Sequence, residues 1–176
     1  MVAEMDEQPP REEELTTRVP EEADLVGLCR TLNELGAKYV VIDGFAIILA
    51  GFARATLDVD LLIDASLENE ALVYKALETL PDKAVRELRP GEVSHYGVVR
   101  IGDEIMVDLM KSACGIDYAE AAKEIIVRKV QGVPIPFASP RLLWRTKKPK
   151  QRPKDHQDLL FLEQYFRDRG EEPPQI

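Results

Sequence analysis

A buried β-strand with two acids on one side sets the strongest limit on how this chain can fold. In the stretch ATLDVDLLID, residues 55–64, Asp58 and Asp60 lie within a run of apolar residues that includes Val59. Because side chains alternate between the two faces of a strand, these two carboxylates point the same way. Two like charges on a half-buried surface are unfavourable unless a positive group lies between them. The fold is therefore expected to bring a cation to this strand.

Length and charge narrow the class of protein. The 176 residues suffice for one domain, which we place at 21–170, between a disordered acidic tail at 1–20 and a short tail at 171–176. The net charge of −9 argues against a general nucleic-acid coat or a membrane-surface protein, since both need cationic faces. No apolar stretch approaches the roughly 20 residues of a membrane span, and the acidic N-terminus is not typical of an export signal. We therefore expect a cytoplasmic protein.

Periodicity and turn signals predict a mixed α/β (α+β) fold. The segment 38–43 is typical of a buried strand that runs into Gly44 and a short apolar helix. Hairpins are indicated in 94–110 and around Gly132, and helices are expected after Ser66, after Ser139 and near the C-terminus. Neighbouring antiparallel strands argue against a uniformly parallel sheet, so we predict a mixed β-sheet flanked by helices, with C-terminal helices.

Three features of the sequence can converge on one site. They are the pair of Asp58 and Asp60, a third acid, Asp108, within the apolar strand EIMVDLM, and the strand-to-helix turn VIDGFA. The N-terminus of a helix offers free N–H groups that suit phosphates. Carboxylates that face a phosphate-holding turn are the ligands that Mg²⁺ prefers. Two such ions can activate an attacking hydroxyl and stabilise a leaving pyrophosphate.

On these motifs the chain resembles the polymerase-β-like nucleotidyltransferase superfamily. The family pattern is a strand, a Gly-Gly or Gly-Ser turn, a helix, an acid–hydrophobic–acid strand and a third acid on a later strand. This chain has VIDGFA, RATLDVDLLID and IMVDLM in that order. It is more closely similar to small bacterial nucleotidyltransferase-like proteins of the abortive-infection and toxin–antitoxin type. Their C-terminal K…R-x-K-D-x-x-D segment resembles RTKKPKQRPKDHQDLLFL, and the resemblance spans roughly residues 25–165.

The resemblance implies roles for the acids and for the turn. Asp58 and Asp60 are expected to hold two Mg²⁺ ions. Asp108 is expected to be the third metal ligand and the candidate base for the attacking hydroxyl. Gly44 is expected to let the triphosphate of an NTP, such as ATP, approach the backbone.

Five further residues match the family and have two interpretations each. Arg54 and Thr56 occupy the R-x-T positions, where they either contact phosphate or support the loop. It is an equally good interpretation that Arg54 is simply an exposed arginine on a helix-to-strand connection. Lys147, Lys154 and Asp155 match the C-terminal segment, and they either contact nucleotide or acceptor or form a solvated, ion-paired helix start.

Asp43 departs from the family pattern, because it stands where the family has the first turn glycine. A carboxylate about 4 Å from a phosphate costs on the order of 4 kcal/mol at an effective dielectric constant near 20. A metal or a lysine offsets this cost, or the side chain turns away. Aspartate is also a favoured N-cap residue, so Asp43 is alternatively expected to cap the helix that follows it.

The resemblance implies a metal-dependent nucleotidyltransferase. Such an enzyme transfers NMP from an NTP to a hydroxyl of a tRNA, a protein or a small molecule and releases pyrophosphate. The alternative is a catalytically weakened binding module with the same fold, such as a toxin–antitoxin component with a partner toxin or antitoxin. The complete set of three acids favours the enzyme, and Asp43 favours the binding module.

Overall fold

A six-stranded mixed sheet forms the centre of the protein, whose computed structural model describes residues 17–176. Two further short strands, β5 and β6, pair with each other outside this sheet. The strand order in the large sheet is β3-β4-β2-β1-β8-β7. The strands are β1 (Tyr39–Ile42), β2 (Asp58–Ile63), β3 (Val98–Gly102), β4 (Met106–Met110), β5 (Ser112–Ala113), β6 (Ile116–Asp117), β7 (Ile125–Val130) and β8 (Val133–Ala138).

Strand directions in the sheet are mixed, as the sequence predicts. β2 runs antiparallel to β1 and parallel to β4, and β1 runs parallel to β8. The two antiparallel hairpins, β3–β4 and β7–β8, form the two ends of the sheet. All four residues of β1 are buried, as expected for a strand covered on both faces. The mixed sheet flanked by helices is therefore confirmed.

Seven α-helices surround the sheet in the described part of the chain. Ser66 and Ser139 each accept a hydrogen bond from the backbone N–H three residues later, so both serines cap helices as predicted. The helices are α1 (Glu22–Glu34), α2 (Gly44–Ala50), α3 (Leu67–Leu77), α4 (Glu92–Tyr96), α5 (Tyr118–Ala121), α6 (Pro140–Lys147) and α7 (His156–Asp168). None of the helices within residues 17–176 is long and apolar enough to cross a membrane.

The C-terminal helices pack onto α2 through aromatic residues. The ring centroids of Phe52 and Phe161 are 5.2 Å apart, which joins the segment after α2 to α7. Trp144 on α6 meets Phe166 on α7 edge to face at 6.2 Å. Aromatic pairs of this kind add to the apolar area that they bury. They hold α6 and α7 against the turn between β1 and α2, where the candidate site lies.

One sequence-based boundary is wrong. The extended run predicted from residue 94 begins instead at Val98, because residues 92–96 form α4. The buried carboxylate of Glu70 accepts hydrogen bonds from the backbone N–H groups of Gly91 and Val93 at the start of this helix. A cap supplied by a residue more than 20 positions away leaves no local signal in the sequence.

The ends of the described chain lie against the domain. Arg18 forms ion pairs with Asp24 at 2.7 Å and with Glu104 at 3.2 Å. Residues 1–16 of the predicted N-terminal tail lie outside the described residues. At the other end, the backbone oxygen of Pro174 accepts a hydrogen bond from the Trp144 indole at 3.1 Å. The domain boundaries at residues 20 and 170 stay predictions.

Candidate functional site

The pairing of β2 with β4 brings the three predicted acids together. The parallel register places Asp60 opposite Asp108, and Asp58 lies two residues before Asp60 on the same face of the sheet. Carboxylate oxygens of the three residues lie within 4.8 Å of one another. This acid cluster, Asp58 with Asp60 and Asp108, faces a cavity of about 610 Å³.

The acid cluster carries electrostatic strain. Burial, followed by repulsion from Asp43, Asp58 and Asp108, raises the pKa of Asp60 to about 8, with Lys147 acting in the opposite direction. Burial also raises the pKa of Asp58, as does Asp108, against a smaller opposing effect of Arg100. Both shifts mean that the ionised carboxylates lack enough compensating positive charge. A divalent cation would supply that charge, and three carboxylates are the hard oxygen donors that Mg²⁺ takes.

Arg100 on β3 supplies part of the missing positive charge. Its cross-strand partner is Asp108, which it binds with both ends of the guanidinium, Nε to Oδ1 at 2.8 Å and Nη2 to Oδ2 at 2.8 Å. Nη2 also donates to Oδ2 of Asp58 at 3.0 Å. Arg100 is thus a cation beside Asp58 of β2 and Asp108 of β4, but it does not contact Asp60 by a hydrogen bond within the described residues.

Asp43 adopts a backbone conformation that favours glycine. Its φ of 56° and ψ of −127° lie in a region that residues with a Cβ rarely occupy. Within residues 17–176 its carboxylate accepts no capping hydrogen bond from α2, so the N-cap interpretation is wrong. The carboxylate lies instead 3.1 Å from Nζ of Lys147. Of the alternatives raised by the sequence, a lysine that offsets the charge is the one observed.

Lys147 is a buried cation at the end of α6, with 2% of its side chain exposed. Its ammonium group contacts one oxygen each of Asp43, Asp155 and Asp158, all at 3.1 Å. Burial alone lowers the pKa of Lys147, but the three carboxylates outweigh this effect and the pKa is raised. Lys147 is therefore charged, and it joins the β1–α2 turn to α7.

Two arginines complete this network. Arg54 binds both oxygens of Asp158 at 2.8 and 2.9 Å, and Nε of Arg152 lies 2.6 Å from Asp155. With Lys147 and Asp43 the network holds three cations and three carboxylates, so its formal charge is zero. We call these six residues the lysine network: Arg54, Lys147 and Arg152 with Asp43, Asp155 and Asp158.

Comparison with known proteins supports an assignment of the fold. No family model matches the sequence, and no curated protein matches it. Among solved structures, the chain is similar to the lincosamide antibiotic adenylyltransferase LnuA in its lincomycin-bound crystal structure. The TM-score is 0.55 at 14% sequence identity, over 84% of this chain and 99% of that one. The chain has a nucleotidyltransferase fold. The more specific likeness to abortive-infection and toxin–antitoxin proteins stays a prediction.

Within this nucleotidyltransferase fold, the predicted site residues fall into two groups. All of them line the same cavity, and the acid cluster and Lys154 lie outside the lysine network. Lys154 is exposed, and it is the one cation lining the cavity that forms no ion pair within residues 17–176. Arg54, Lys147 and Asp155 are engaged in the lysine network, which matches the loop-support and ion-pair interpretations. Lys147 is buried, however, and not solvated as that interpretation expected.

Sequence reasoning missed Arg100, Arg152 and the role of Asp158. The partner of Arg100 is set by the length of the hairpin turn, because the observed turn at 103–105 places residue 100 across from residue 108. Asp158 belongs to the matched C-terminal segment, but nothing local shows that its partners are Arg54 and Lys147. Those contacts depend on how α7 packs in three dimensions.

Gly44 and Thr56 hold the turn of the nucleotidyltransferase fold against β2. A Cβ added at Gly44 would lie 2.1 Å from Oγ1 of Thr56 and 2.6 Å from its Cβ. Thr56 in turn donates from its hydroxyl to the backbone oxygen of Asp58 at 3.1 Å. The absence of a side chain at Gly44 therefore lets α2 approach the segment that enters the acid strand.

We expect Gly44→Ala to lower the free energy of unfolding by about 2–3 kcal/mol, since Cβ of Thr56, at 2.6 Å from the added methyl group, cannot move away without shifting the backbone. The matched control is Gly27→Ala in the middle of α1, where an added Cβ meets nothing within 4 Å. That variant is expected to gain about 0.5–1 kcal/mol from helix propensity. Urea denaturation of both variants checks the pair, and equal effects would contradict the packing argument.

Proposed function

We propose that this protein is a metal-dependent nucleotidyltransferase, which transfers NMP from an NTP to an acceptor hydroxyl and releases pyrophosphate. The observation that carries the proposal is the convergence of Asp58, Asp60 and Asp108 within 4.8 Å at one cavity. The nucleotidyltransferase fold supports it, because the similar structure is that of an adenylyltransferase. We place the activity in the cytoplasm.

The chemistry is divided among a few residues. Asp58, Asp60 and Asp108 would hold two Mg²⁺ ions, which supply charge neutralisation for the triphosphate and the leaving pyrophosphate. Asp108 is the candidate base that accepts the proton of the attacking hydroxyl. Lys154 supplies an uncommitted positive charge for the phosphates. The convergence of the three acids and Lys154 on one cavity supports these assignments.

The lysine network has a positioning role in this proposal. Arg54 and Lys147 are ion-paired to Asp158, so they hold the loop before β2 and the turn at Asp43 in place. Thr56 and Gly44 fix the distance between that turn and β2. The nucleotide then meets a prearranged surface, which reduces the cost of orienting it.

A small molecule is the acceptor class that we favour over a tRNA or a protein. The similar adenylyltransferase has a lincosamide antibiotic as its named substrate. The net charge of −9 makes free RNA the less suitable acceptor, since RNA binding needs extended cationic surface. The basic stretch at 147–154 keeps RNA as an outcome to be tested.

The direct test is transfer of label from α-³²P-labelled NTPs to candidate hydroxyl acceptors in the presence of Mg²⁺. We expect labelled product and pyrophosphate with the native protein and none after chelation with EDTA. Pyrophosphate release measured without an added acceptor serves as the background. Absence of NTP binding by calorimetry under the same conditions would overturn the proposal.

Asp43 gives specific support to the second candidate, a binding module with weakened or no catalysis, such as a toxin–antitoxin component. Its carboxylate lies at the turn that is expected to approach phosphate, in a conformation suited to glycine. Lys147 neutralises this charge at 3.1 Å, which reduces the repulsion estimated for an isolated carboxylate. The enzyme remains the preferred proposal for that reason.

Two variants at residue 43 separate charge from backbone strain. Asp43→Asn removes the charge at nearly constant size, and Asp43→Gly also relieves about 1–2 kcal/mol of strain. We expect both variants to bind Mg²⁺–ATP up to about tenfold more tightly by calorimetry, because they share the loss of one negative charge. If only the glycine variant binds ATP, the native chain is a binding module that has lost its nucleotide site. Weaker binding by both variants would show that Asp43 supports the site.

A further inference from the structure

Arg100 occupies three of the six carboxylate oxygens that the proposed function assigns to metal ions. Its guanidinium takes both carboxylate oxygens of Asp108 and one of Asp58, at 2.8 to 3.0 Å. Bidentate bonds between arginine and a carboxylate are among the stronger hydrogen bonds in proteins. Those oxygens cannot serve a guanidinium and an inner-sphere cation at full strength at the same time. Coordination of a cation by all three acids at full strength therefore requires Arg100 to withdraw.

The position of Arg100 allows such a withdrawal. Its side chain is 61% exposed, so the guanidinium can leave the acids without disturbing the core. Its backbone is fixed by the pairing of β3 with β4, directly across from Asp108. The displaced guanidinium therefore stays near the cavity, whose lining also includes Lys154.

Arg100 affects the binding of a free divalent cation differently from the binding of a cation that is bound to a nucleotide. A free divalent cation brings two positive charges next to a guanidinium and offers it no new partner. A cation that arrives with a triphosphate brings anionic oxygens, which match the planar fork of arginine. The displaced guanidinium can then exchange its carboxylate bonds for phosphate bonds.

We propose that Arg100 is a specificity-determining residue that excludes free divalent cations from the acid cluster and admits them as the metal–nucleoside triphosphate complex. This inference rests on the proposed function. It assigns to Arg100 a role in the selection of ligands, beyond that of a counter-ion for Asp58 and Asp108. In the absence of nucleotide, Arg100 keeps Asp58 and Asp108 paired.

Mn²⁺ binding, followed by electron paramagnetic resonance of the free ion, tests the proposal without any measurement of turnover. The native protein, Arg100→Gln and the control Arg128→Gln are titrated with Mn²⁺, with and without a non-hydrolysable ATP analogue. Arg128 is an exposed arginine on β7, at the opposite end of the same sheet. Without nucleotide, Arg100→Gln is expected to bind Mn²⁺ at least about tenfold more tightly, since a unit charge near 4 Å contributes about 1–4 kcal/mol. Arg128→Gln is expected to match the native protein.

Two further variants localise the effect. Adding Asp108→Asn to Arg100→Gln is expected to abolish the gain, which places the bound Mn²⁺ at the acid cluster. Arg100→Lys keeps the charge but loses the planar guanidinium, so its affinity for Mn²⁺ is expected to lie between those of the native protein and Arg100→Gln. Thermal unfolding of each variant confirms that it is folded.

The outcomes separate the two proposals. If the native protein binds Mn²⁺ with the ATP analogue, but Arg100→Gln binds free Mn²⁺ no better than the native protein, the inference about Arg100 is wrong and the proposed function stands. Weaker binding by Arg100→Gln also overturns it, because Arg100 would then be arranging the ligands. If no variant binds Mn²⁺ in either condition, the proposed function fails and this inference fails with it.

Discussion

Asp60→Asn is expected to reduce nucleotidyl transfer by about a thousandfold and, at pH 8, to raise Tm by roughly 4–8 °C. The loss follows from removing one of three charged ligands, which costs several kcal/mol of transition-state stabilisation. The gain follows from the raised pKa of Asp60, about 8, which shows that its ionised form is unfavourable in the folded state. An amide of the same size removes that unfavourable charge, and about 2 kcal/mol of stabilisation is expected.

The pH dependence of this gain has a definite sign. Between about pH 4 and pH 8 the folded protein keeps a proton on Asp60 that the unfolded chain has lost, so the native stability falls as pH rises. The stability of the asparagine variant does not have this dependence on pH. Its advantage over the native protein is therefore expected to be near zero at pH 4 and to reach its maximum above pH 8.

Asp64→Asn is the matched control at the end of the same strand. The pKa of Asp64 is lowered, chiefly by the hydrogen bond from the backbone of Ser66, so its charge is favourable. We expect this variant to keep its activity and to gain no stability at pH 8. Calorimetric scans across pH and the labelling assay test both variants. Full activity of Asp60→Asn would contradict the assignment of Asp60 as a ligand in the site.

Lys147→Met is expected to lower the free energy of unfolding by about 3–5 kcal/mol, the usual cost of leaving buried charges without their partner. The ammonium group of Lys147 forms ion pairs with Asp43, Asp155 and Asp158, and the hydrophobic replacement can form none of them. The corresponding fall in Tm is roughly 10 °C. The effect should shrink at acidic pH, since the carboxylates left behind can then take up protons.

Lys148→Met is the control for this substitution. Lys148 is the next residue and lies over the ring of Trp144 at 5.1 Å, a contact with an expected contribution below about 1 kcal/mol. Urea denaturation at pH 7.5 and pH 4.5 compares the two variants. If Lys147→Met is as stable as Lys148→Met at neutral pH, the lysine network does not stabilise the fold.

The acid cluster could be predicted from the sequence because its signal is local. A strand alternates faces every second residue, so Asp58 and Asp60 had to share one face. Asp108 stood out as a charge within an apolar strand. The register that sets Asp60 opposite Asp108 could not be read in advance, because a parallel pair has no hairpin to fix it. The position of Arg100 opposite Asp108 depends on a turn at residues 103–105, whose length the hairpin signal in 94–110 did not fix.

The environment of Asp43 could not be predicted from the sequence. N-cap preference is a local rule, and it favoured a hydrogen bond from Asp43 to its own helix. The observed partner is Lys147, which is 104 positions away and reaches the turn only because α6 packs near α2. A buried ion pair between distant elements has no periodic pattern in the chain. The lysine network is therefore a product of tertiary packing.

The lysine network also has a consequence for the order in which the chain is made. All the acids of the β1–α2 turn and of the acid cluster precede residue 110. Arg100, which pairs with Asp58 and Asp108, precedes it too, but Lys147, the opposing charge for Asp43 and Asp60, comes near the end. A nascent chain that has exposed only its first two thirds holds Asp43 and Asp60 without the lysine. The repulsion between Asp43 and Asp60 is then not yet reduced by the charge that α6 brings. Completion of synthesis, more than formation of the first strands, should set when this domain becomes stable.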